Sequence, residues 1–247
     1  MNFAHKVFRK LTGFTLQKKI KNENPQSWTR IEENCFFQFP RSNQIKGLGE
    51  IFFGIFGDKT NGLVVEIGAY DGFEFSNSWG LLDRGWHGIL IEPVKEFFES
   101  AKKNTMRFQN IDIYNVGLSN CTQESLIYKL GPYSSLSKNE IDIIQNSEWY
   151  QENWVLEEEL IQIVEASIFF EQNVRNTIDV LIIDVEGHEY PILENLFKGR
   201  IKPKVILVEV QKNQNEEKEL SHLIENMNYK RIYRDKINSI YLLQTDK

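Results

Sequence analysis

Positions 184–191 read Asp184-Val185-Glu186-Gly187-His188-Glu189-Tyr190-Pro191, with three carboxylates and an imidazole within six residues. Histidine is the side chain that most readily takes a proton near neutral pH. Carboxylates beside it orient the ring or raise its basicity. His188 is therefore a candidate general base, with Asp184 and Glu189 as candidate assistants. The run follows an apolar, strand-like stretch, so Asp184 falls at a strand end, in the crevice where open α/β sheets place their ligands. Glu186 and Glu189 also suit the positive end of a helix beginning near Pro191. That role accounts for Glu189 as well as catalysis does, but leaves His188 unexplained. Glu209 ends another apolar run and would reach the same crevice. Asp184, His188 and Glu209 could together hold a divalent ion that lowers the pKa of a bound hydroxyl. Glu209 reads equally as a sheet-end charge without a ligand.

A second constellation, Glu66-Ile67-Gly68-Ala69-Tyr70-Asp71-Gly72, sits where the apolar run 63–67 passes into a helical stretch. Glycine there lets the backbone turn sharply and come close to a ligand. The spacing is Gly-x-x-x-Gly, not the Gly-x-Gly-x-x-Gly of dinucleotide phosphate binding. Glu66 and Asp71 also flank the loop with negative charge, which a pyrophosphate avoids. Such a loop suits a ligand bearing an ammonium and hydroxyls, such as the amino-acid part of S-adenosylmethionine. A purely structural glycine turn is the other reading. Glu92 lies 20 residues after Gly72 and precedes Pro93. A carboxylate there can accept hydrogen bonds from both ribose hydroxyls of an adenosine; the alternative is a surface carboxylate before a helix.

These residues need a scaffold that brings strand ends together. Apolar runs at 63–67, 88–92, 111–116, 180–184 and 204–210 alternate with helical stretches at 75–84, 94–104, 191–198 and 216–227. Strands apolar on both faces that alternate with helices predict an α/β fold, a parallel sheet covered on both sides. The segments 229–233 and 239–243, joined by a polar turn, predict an antiparallel hairpin that ends the sheet. Residues 1–60 read as an N-terminal helical cover of the same unit, and 61–247 as the main domain. Residues 119–177 form an insert too long for an ordinary connection. The insert carries a strand pair starting near 125 and the aromatics Trp149, Tyr150 and Trp154. Those rings suit a lid over a sugar-like acceptor, or simply pack the insert onto the core.

Composition narrows the classes. The 247 residues are 41% hydrophobic and 26% charged, enough apolar surface for a core and too little charge for global disorder. The apolar runs are too short to span a membrane. Two cysteines, Cys35 and Cys121, make neither a disulfide framework nor a four-thiolate zinc site. A reduced, cytoplasmic protein is the expectation. A net charge of −6 argues against general nucleic-acid binding. The charge is uneven: residues 1–30 carry seven basic side chains and one acid, and the rest has a net charge of −12. Phe3, Val7, Phe8, Leu11 and Phe14 fall on one helical stripe, which suits a terminal helix docked on the acidic body or a membrane-surface contact.

In order along the chain, the loop 66–72, Ser76-Asn77-Ser78, Gly85-Trp86-His87-Gly88-Ile89-Leu90-Ile91-Glu92-Pro93, Asn115-Val116-Gly117-Leu118-Ser119 and Ile183-Asp184-Val185-Glu186-Gly187-His188-Glu189 resemble the FkbM family of S-adenosylmethionine-dependent methyltransferases. The resemblance covers residues 60–212, and the Asp-x-Glu-Gly-x-Glu element is its most specific part. It implies a class I, Rossmann-like methyltransferase fold with a mostly parallel seven-stranded sheet and an antiparallel C-terminal strand. It also implies O-methylation of a sugar, glycan-precursor or natural-product hydroxyl, with a nucleotide-linked sugar among the candidates. Glu66, Gly68, Ala69, Tyr70 and Asp71 would surround the methionine part, and Ser76 and Asn77 would help hold its carboxylate. Glu92 and Pro93 would sit at the ribose and Val116 at the adenine. Asp184 would lie beside the transferring methyl, with His188 as the base. The basic start and the tryptophan-bearing insert depart from the family pattern, so the acceptor does not carry over. Two other classes stand beside this reading: an NAD-dependent oxidoreductase, disfavoured by the missing fingerprint and the crowded acids, and a non-catalytic binding module in glycan assembly.

Overall fold

Every side chain in the runs 63–67, 180–183 and 205–208 is buried, so the strands they form need cover on both faces. The computed structural model describes residues 37, 39, 43, 45–148, 150–210 and 214–244. The basic start, Cys35 and Trp149 lie outside them. The first half of the described chain runs α1 (Leu48–Phe56), β1 (Leu63–Ile67), α2 (Trp79–Asp83), β2 (His87–Ile91), α3 (Lys95–Thr105), β3 (Ile111–Tyr114), β4 (Gly117–Ser119), β5 (Gln123–Leu130) and β6 (Tyr133–Ser135). The second half runs α4 (Lys138–Gln145), β7 (Leu156–Glu165), α5 (Ala166–Asn173), β8 (Val180–Ile183), α6 (Glu189–Lys198), β9 (Val205–Glu209), α7 (Gln214–Asn226), β10 (Tyr229–Arg234) and β11 (Asn238–Leu243).

The main sheet has seven strands in the order β10-β11-β9-β8-β1-β2-β3. Its parallel pairs are β3·β2, β2·β1, β1·β8 and β8·β9, while β11 runs antiparallel to both β9 and β10. This is the mostly parallel, Rossmann-like α/β sheet with an antiparallel final strand that the alternation and the hairpin signal predict. One face packs under α5, α6 and α7 through Phe169, Phe170, Leu193, Leu196 and Ile224. The other packs under α1 and α2 through Phe37, Leu48, Phe52, Leu81 and Trp86. From β1 the chain winds outward through β2 to β3 and later returns to β8 on the other side of β1. The ends of β1 and β8 therefore form the switch point at which such sheets open a crevice.

Two elements differ from expectation. The helix predicted over 75–84 is cut to five residues, Trp79–Asp83. The stretch before it turns inward to a buried carboxylate instead, with Phe75 in the left-handed region at φ +59°. The region 119–177 is more ordered than a strand pair. It carries most of a second sheet, β4-β7-β5-β6, in which β5 and β7 pair antiparallel from Gln123↔Ile163 to Leu130↔Leu156. Ile127, Ile161 and Ile163 of this sheet pack against Val94 and Phe97 at the start of α3. Among the described residues no helix is long and apolar enough to cross a membrane.

Candidate active site

Gly68 has φ +83°, a conformation open to glycine and strained for other residues. A Cβ at this position would lie 1.8 Å from the Asp184 carbonyl oxygen. The loop is clamped on both sides: the Gly68 and Ala69 N–H groups donate to Ile91 O, and the Asp184 N–H donates to Ile67 O. A cleft of about 980 Å³, counted to its open mouth, lies over this switch point.

Glu92 directly follows β2, lines that cleft and is buried. Its Oε2 accepts from the Tyr70 N–H at 2.9 Å and its Oε1 from the Val94 N–H at 2.8 Å. An ionised carboxylate offers about four lone-pair sites, so each oxygen keeps one for a ligand hydroxyl. Burial pushes the carboxyl up to about 8 against the pull of the two N–H groups. Ala69, Tyr70, Pro93 and Val116 line the same cleft, as expected. Sequence reasoning missed its apolar wall: Phe97 of α3, with Ile127, Leu136 and Ile161 from the insert. The signal was present in β7, where buried Ile161 and Ile163 alternate with exposed residues.

Glu66 also lines the cleft, but its carboxylate faces the Ser-Asn-Ser loop. Oε1 accepts from the Asn77 N–H at 2.9 Å, and Oε2 from the hydroxyls of Ser76 and Ser78. Burial raises this carboxyl to about 7. The Ser76 hydroxyl and the Asn77 N–H, expected to hold a ligand carboxylate, are thus directed at Glu66. The Asn77 side-chain oxygen accepts from Asn43, which ties the loop to the N-terminal cover. Asp71 is not part of the cleft wall. Its Oδ1 accepts from the Phe73 and Glu74 N–H groups, so it caps the turn that follows.

The segment after β8 is tightly curled. Glu186 has φ +51° and Gly187 φ +101°. Buried Glu189 holds the curl, accepting from the Val185 and Gly187 N–H groups at 3.2 Å. Its carboxyl is raised to about 7 by burial, and it stands outside the cleft wall. His188 precedes α6 and lines the cleft. Its Nε2 lies 2.8 Å from the Ser119 hydroxyl, and burial lowers its pKa below the ordinary histidine value. The carboxylate oxygens of Asp184, Glu186 and Glu209 lie within 4.8 Å of one another. The acidic group at the strand ends therefore includes Glu186, where the sequence reading had placed His188. Asp184 and Glu209 hydrogen-bond each other; burial raises Asp184 against the pull of that bond, and burial with repulsion from Asp184, Glu186 and Glu189 raises Glu209.

A family model described as the methyltransferase FkbM domain matches residues 66–234, from the Gly68 loop to the end of β10. The chain belongs to the FkbM methyltransferase family. No curated protein matches it in sequence. Among solved structures it is similar to a fibrillarin/Nop5p complex chain, at 14% identity and TM-score 0.43, over 75% of this chain and 74% of that one. A precorrin-6y C5,15-methyltransferase from Geobacter metallireducens aligns at 11% identity and TM-score 0.41, over 83% and 93%. The O-methyltransferase TomG from Streptomyces achromogenes, solved in complex with SAM, aligns at 10% identity and TM-score 0.39, over 74% and 73%.

In this FkbM methyltransferase a groove of about 780 Å³, counted to its open mouth, continues from the cleft. The two share Tyr70, Glu74, Phe75, Pro132 and Tyr133, and Gln151 and Trp154 complete the groove. Trp154 lies against Gly131, where a Cβ would meet its ring at 2.6 Å, and packs on Tyr133 and Tyr150. It is thus both a strut of the insert and a wall of the groove. Tyr133 lines the cleft with Asp184 and Glu186, and burial together with the carboxylates of Glu186, Glu209 and Asp184 pushes its phenol up to about 12. The Ser135 hydroxyl donates to Glu186 O at 2.7 Å, fastening β6 to the curl.

Proposed function

We propose that this methyltransferase transfers the methyl group of S-adenosylmethionine to a hydroxyl of a sugar or glycan precursor. The observation that carries the reading is the continuity of two spaces: a cleft around Glu92, Val116 and Asp184, and an aromatic groove around Tyr133 and Trp154, which meet at Tyr70, Phe75 and Tyr133. Aromatic faces beside carboxylates suit a ring bearing many hydroxyls. Glu92 accepts from the ribose hydroxyls, the apolar wall of Phe97, Ile127 and Ile161 encloses the adenosine, and Asp184 faces the sulfonium.

Methyl transfer is an in-line displacement, so the site must align acceptor oxygen, methyl carbon and sulfur. The acceptor oxygen forms the new C–O bond while the C–S bond breaks. Its electron pair stays on sulfur, which leaves as a neutral thioether and needs no acid. The hydroxyl proton passes to a base. His188 serves as that base, because burial keeps its ring neutral near pH 7. Glu189 supports it from outside the cleft by holding the curl.

The test is turnover with isotopically labelled S-adenosylmethionine over a panel of free and nucleotide-linked sugars. It is paired with thermal shifts in S-adenosylhomocysteine and NAD, since a ligand that binds only the folded state raises its stability. The reading requires a shift with S-adenosylhomocysteine and methyl transfer to at least one polyol. A shift with NAD alone points to an oxidoreductase instead.

A further inference from the structure

Asp184, Glu209 and Asn238 form a row across the carboxyl edge of the sheet. Ile183 pairs with Val208, which brings Asp184 level with Glu209, and Glu209 pairs directly with Asn238. Residues paired across adjacent strands send their side chains to the same face with Cβ atoms about 4.5–5.5 Å apart. The Asn238 and Glu209 side chains therefore leave the same face of the sheet from neighbouring positions. Asn238 is only 1% exposed, and its Nδ2 has no hydrogen-bond partner among the described residues. Buried polar groups are almost always satisfied, and an orphan calls for an explanation. Which end of a carboxamide is oxygen is assigned from its surroundings, so the same group turned over presents a carbonyl oxygen.

We propose that Asp184, Glu186, Glu209 and Asn238 bind one divalent cation of the Mg²⁺ or Mn²⁺ type, which also takes an acceptor oxygen. All four side chains supply hard oxygen donors, the set such cations select over thiolate or imidazole. Oxygens on opposite sides of one ion are about 4.2 Å apart for Mg²⁺ and about 4.8 Å for Ca²⁺. Three carboxylate oxygens within 4.8 Å of one another are thus within reach of one such ion. The ion meets the Asn238 amide once its oxygen is turned inward. Mg²⁺ usually retains positions for water or substrate oxygens. Asp184 and Glu186 line the same cleft as Tyr133, which also lines the aromatic groove where the proposed acceptor lies. This assignment rests on the methyltransferase reading of that groove and adds to it how a sugar hydroxyl, or a neighbouring pair of them, is held.

The experiment is a Mn²⁺ titration of the EDTA-treated full chain, followed by electron paramagnetic resonance, alone and with saturating S-adenosylhomocysteine. One bound ion per chain is expected. Glu186→Gln and Asn238→Leu should each weaken it by about tenfold or more, while Asn238→Asp retains or tightens it. Thermal shift with S-adenosylhomocysteine on the same samples reports whether each variant is folded and cofactor-competent. A wild-type chain that shifts with S-adenosylhomocysteine but binds no Mn²⁺ overturns the cation site and leaves the methyltransferase reading standing. Equal Mn²⁺ affinity in folded Glu186→Gln and Asn238→Leu places the ion elsewhere and overturns the assignment. A chain that binds Mn²⁺ but shows no S-adenosylhomocysteine shift supports the cation site and overturns the proposed cofactor.

Discussion

Gly68 and Asp184 meet backbone to backbone: a methyl group on the first would lie 1.8 Å from the carbonyl oxygen of the second. The contact closes the floor of the cleft, because it joins β1 to β8 where the sheet changes winding direction. Relief would require the two strands to part, since the atom in the way is backbone. Gly68→Ala combines a left-handed backbone cost of about 1–2 kcal/mol with overpacking of about 1–3 kcal/mol. At roughly 2–4 °C per kcal/mol for a chain of this size, Tm should fall by about 4–20 °C. S-adenosylhomocysteine binding should be lost as well, which calorimetric titration of the folded fraction checks.

Glu92 should govern cofactor affinity. Hydrogen bonds to a charged group contribute about 1.5–3 kcal/mol. Glu92→Gln should therefore weaken S-adenosylhomocysteine binding by about 10- to 100-fold. The glutamine amide also turns an NH₂ toward the N–H of Tyr70 or Val94, two donors face to face. In the proposed binding mode, ribose hydroxyls select the ionised carboxylate of Glu92, which burial holds at about 8 in the ligand-free protein. Affinity should accordingly rise between pH 6 and pH 8 with release of a proton, and that slope should vanish in Glu92→Gln.

Stability should move the other way with pH. Glu66 and Glu189 are raised to about 7, and Glu92 to about 8, all by burial. The folded state therefore binds more protons than the unfolded state between the ordinary carboxyl value and about pH 8. Under that condition stability falls as pH rises. This contribution is full below about 4.5 and is lost as pH passes through 7 and 8. Thermal melts of the ligand-free protein should show Tm declining from pH 6 to pH 9. Glu92→Gln should flatten the upper part of the decline, whatever its absolute Tm.

Trp154 offers a probe of the proposed acceptor groove. Its ring packs on Tyr133 and Tyr150 and lies against Gly131, so Trp154→Ala would disturb the insert as well as the groove. Trp154→Phe keeps an aromatic face with less area. It should raise the acceptor KM several-fold while leaving S-adenosylhomocysteine affinity within about twofold. A change confined to the cofactor constant would remove Trp154 from the acceptor wall.

The sheet was legible because fully buried parallel strands are almost continuously apolar: the runs 180–183 and 205–208 are wholly so, and 63–67 is broken by Glu66 alone. The curl after β8 was legible as a dense cluster of ionisable groups, but the inward or outward direction of each side chain was not. Ser76 and Asn77 illustrate the gap. Their donors suit a ligand equally well, and only the fold reveals that Glu66 lies within their reach. Asp71 was misleading for a related reason, since an aspartate that caps its own turn resembles one facing a ligand. The insert was hardest, because β4, β5 and β7 assemble across sequence separations that no local periodicity reports.

His188 gives the most direct reading of the chemical step. Its ring lines the cleft, its Nε2 touches the Ser119 hydroxyl, and burial alone lowers its pKa from the ordinary 6.5. A base must be unprotonated to act, so kcat should rise with pH along an acidic limb and level off before neutrality. Proton transfer of this kind contributes about 10²–10⁴-fold. His188→Ala should lower kcat by that order at saturating acceptor and erase the limb. The cofactor constant should change little, because the proposed ribose and adenine contacts, Glu92 and Val116, are other residues of the cleft. Ser119→Ala separates the hydrogen bond from the proton transfer. Removing the hydroxyl should shift the midpoint of the limb while leaving the plateau rate within about tenfold. Should His188→Ala keep both the plateau and the limb, the proton goes to another group in the cleft. Asp184→Asn, measured over the same pH range, would then identify it.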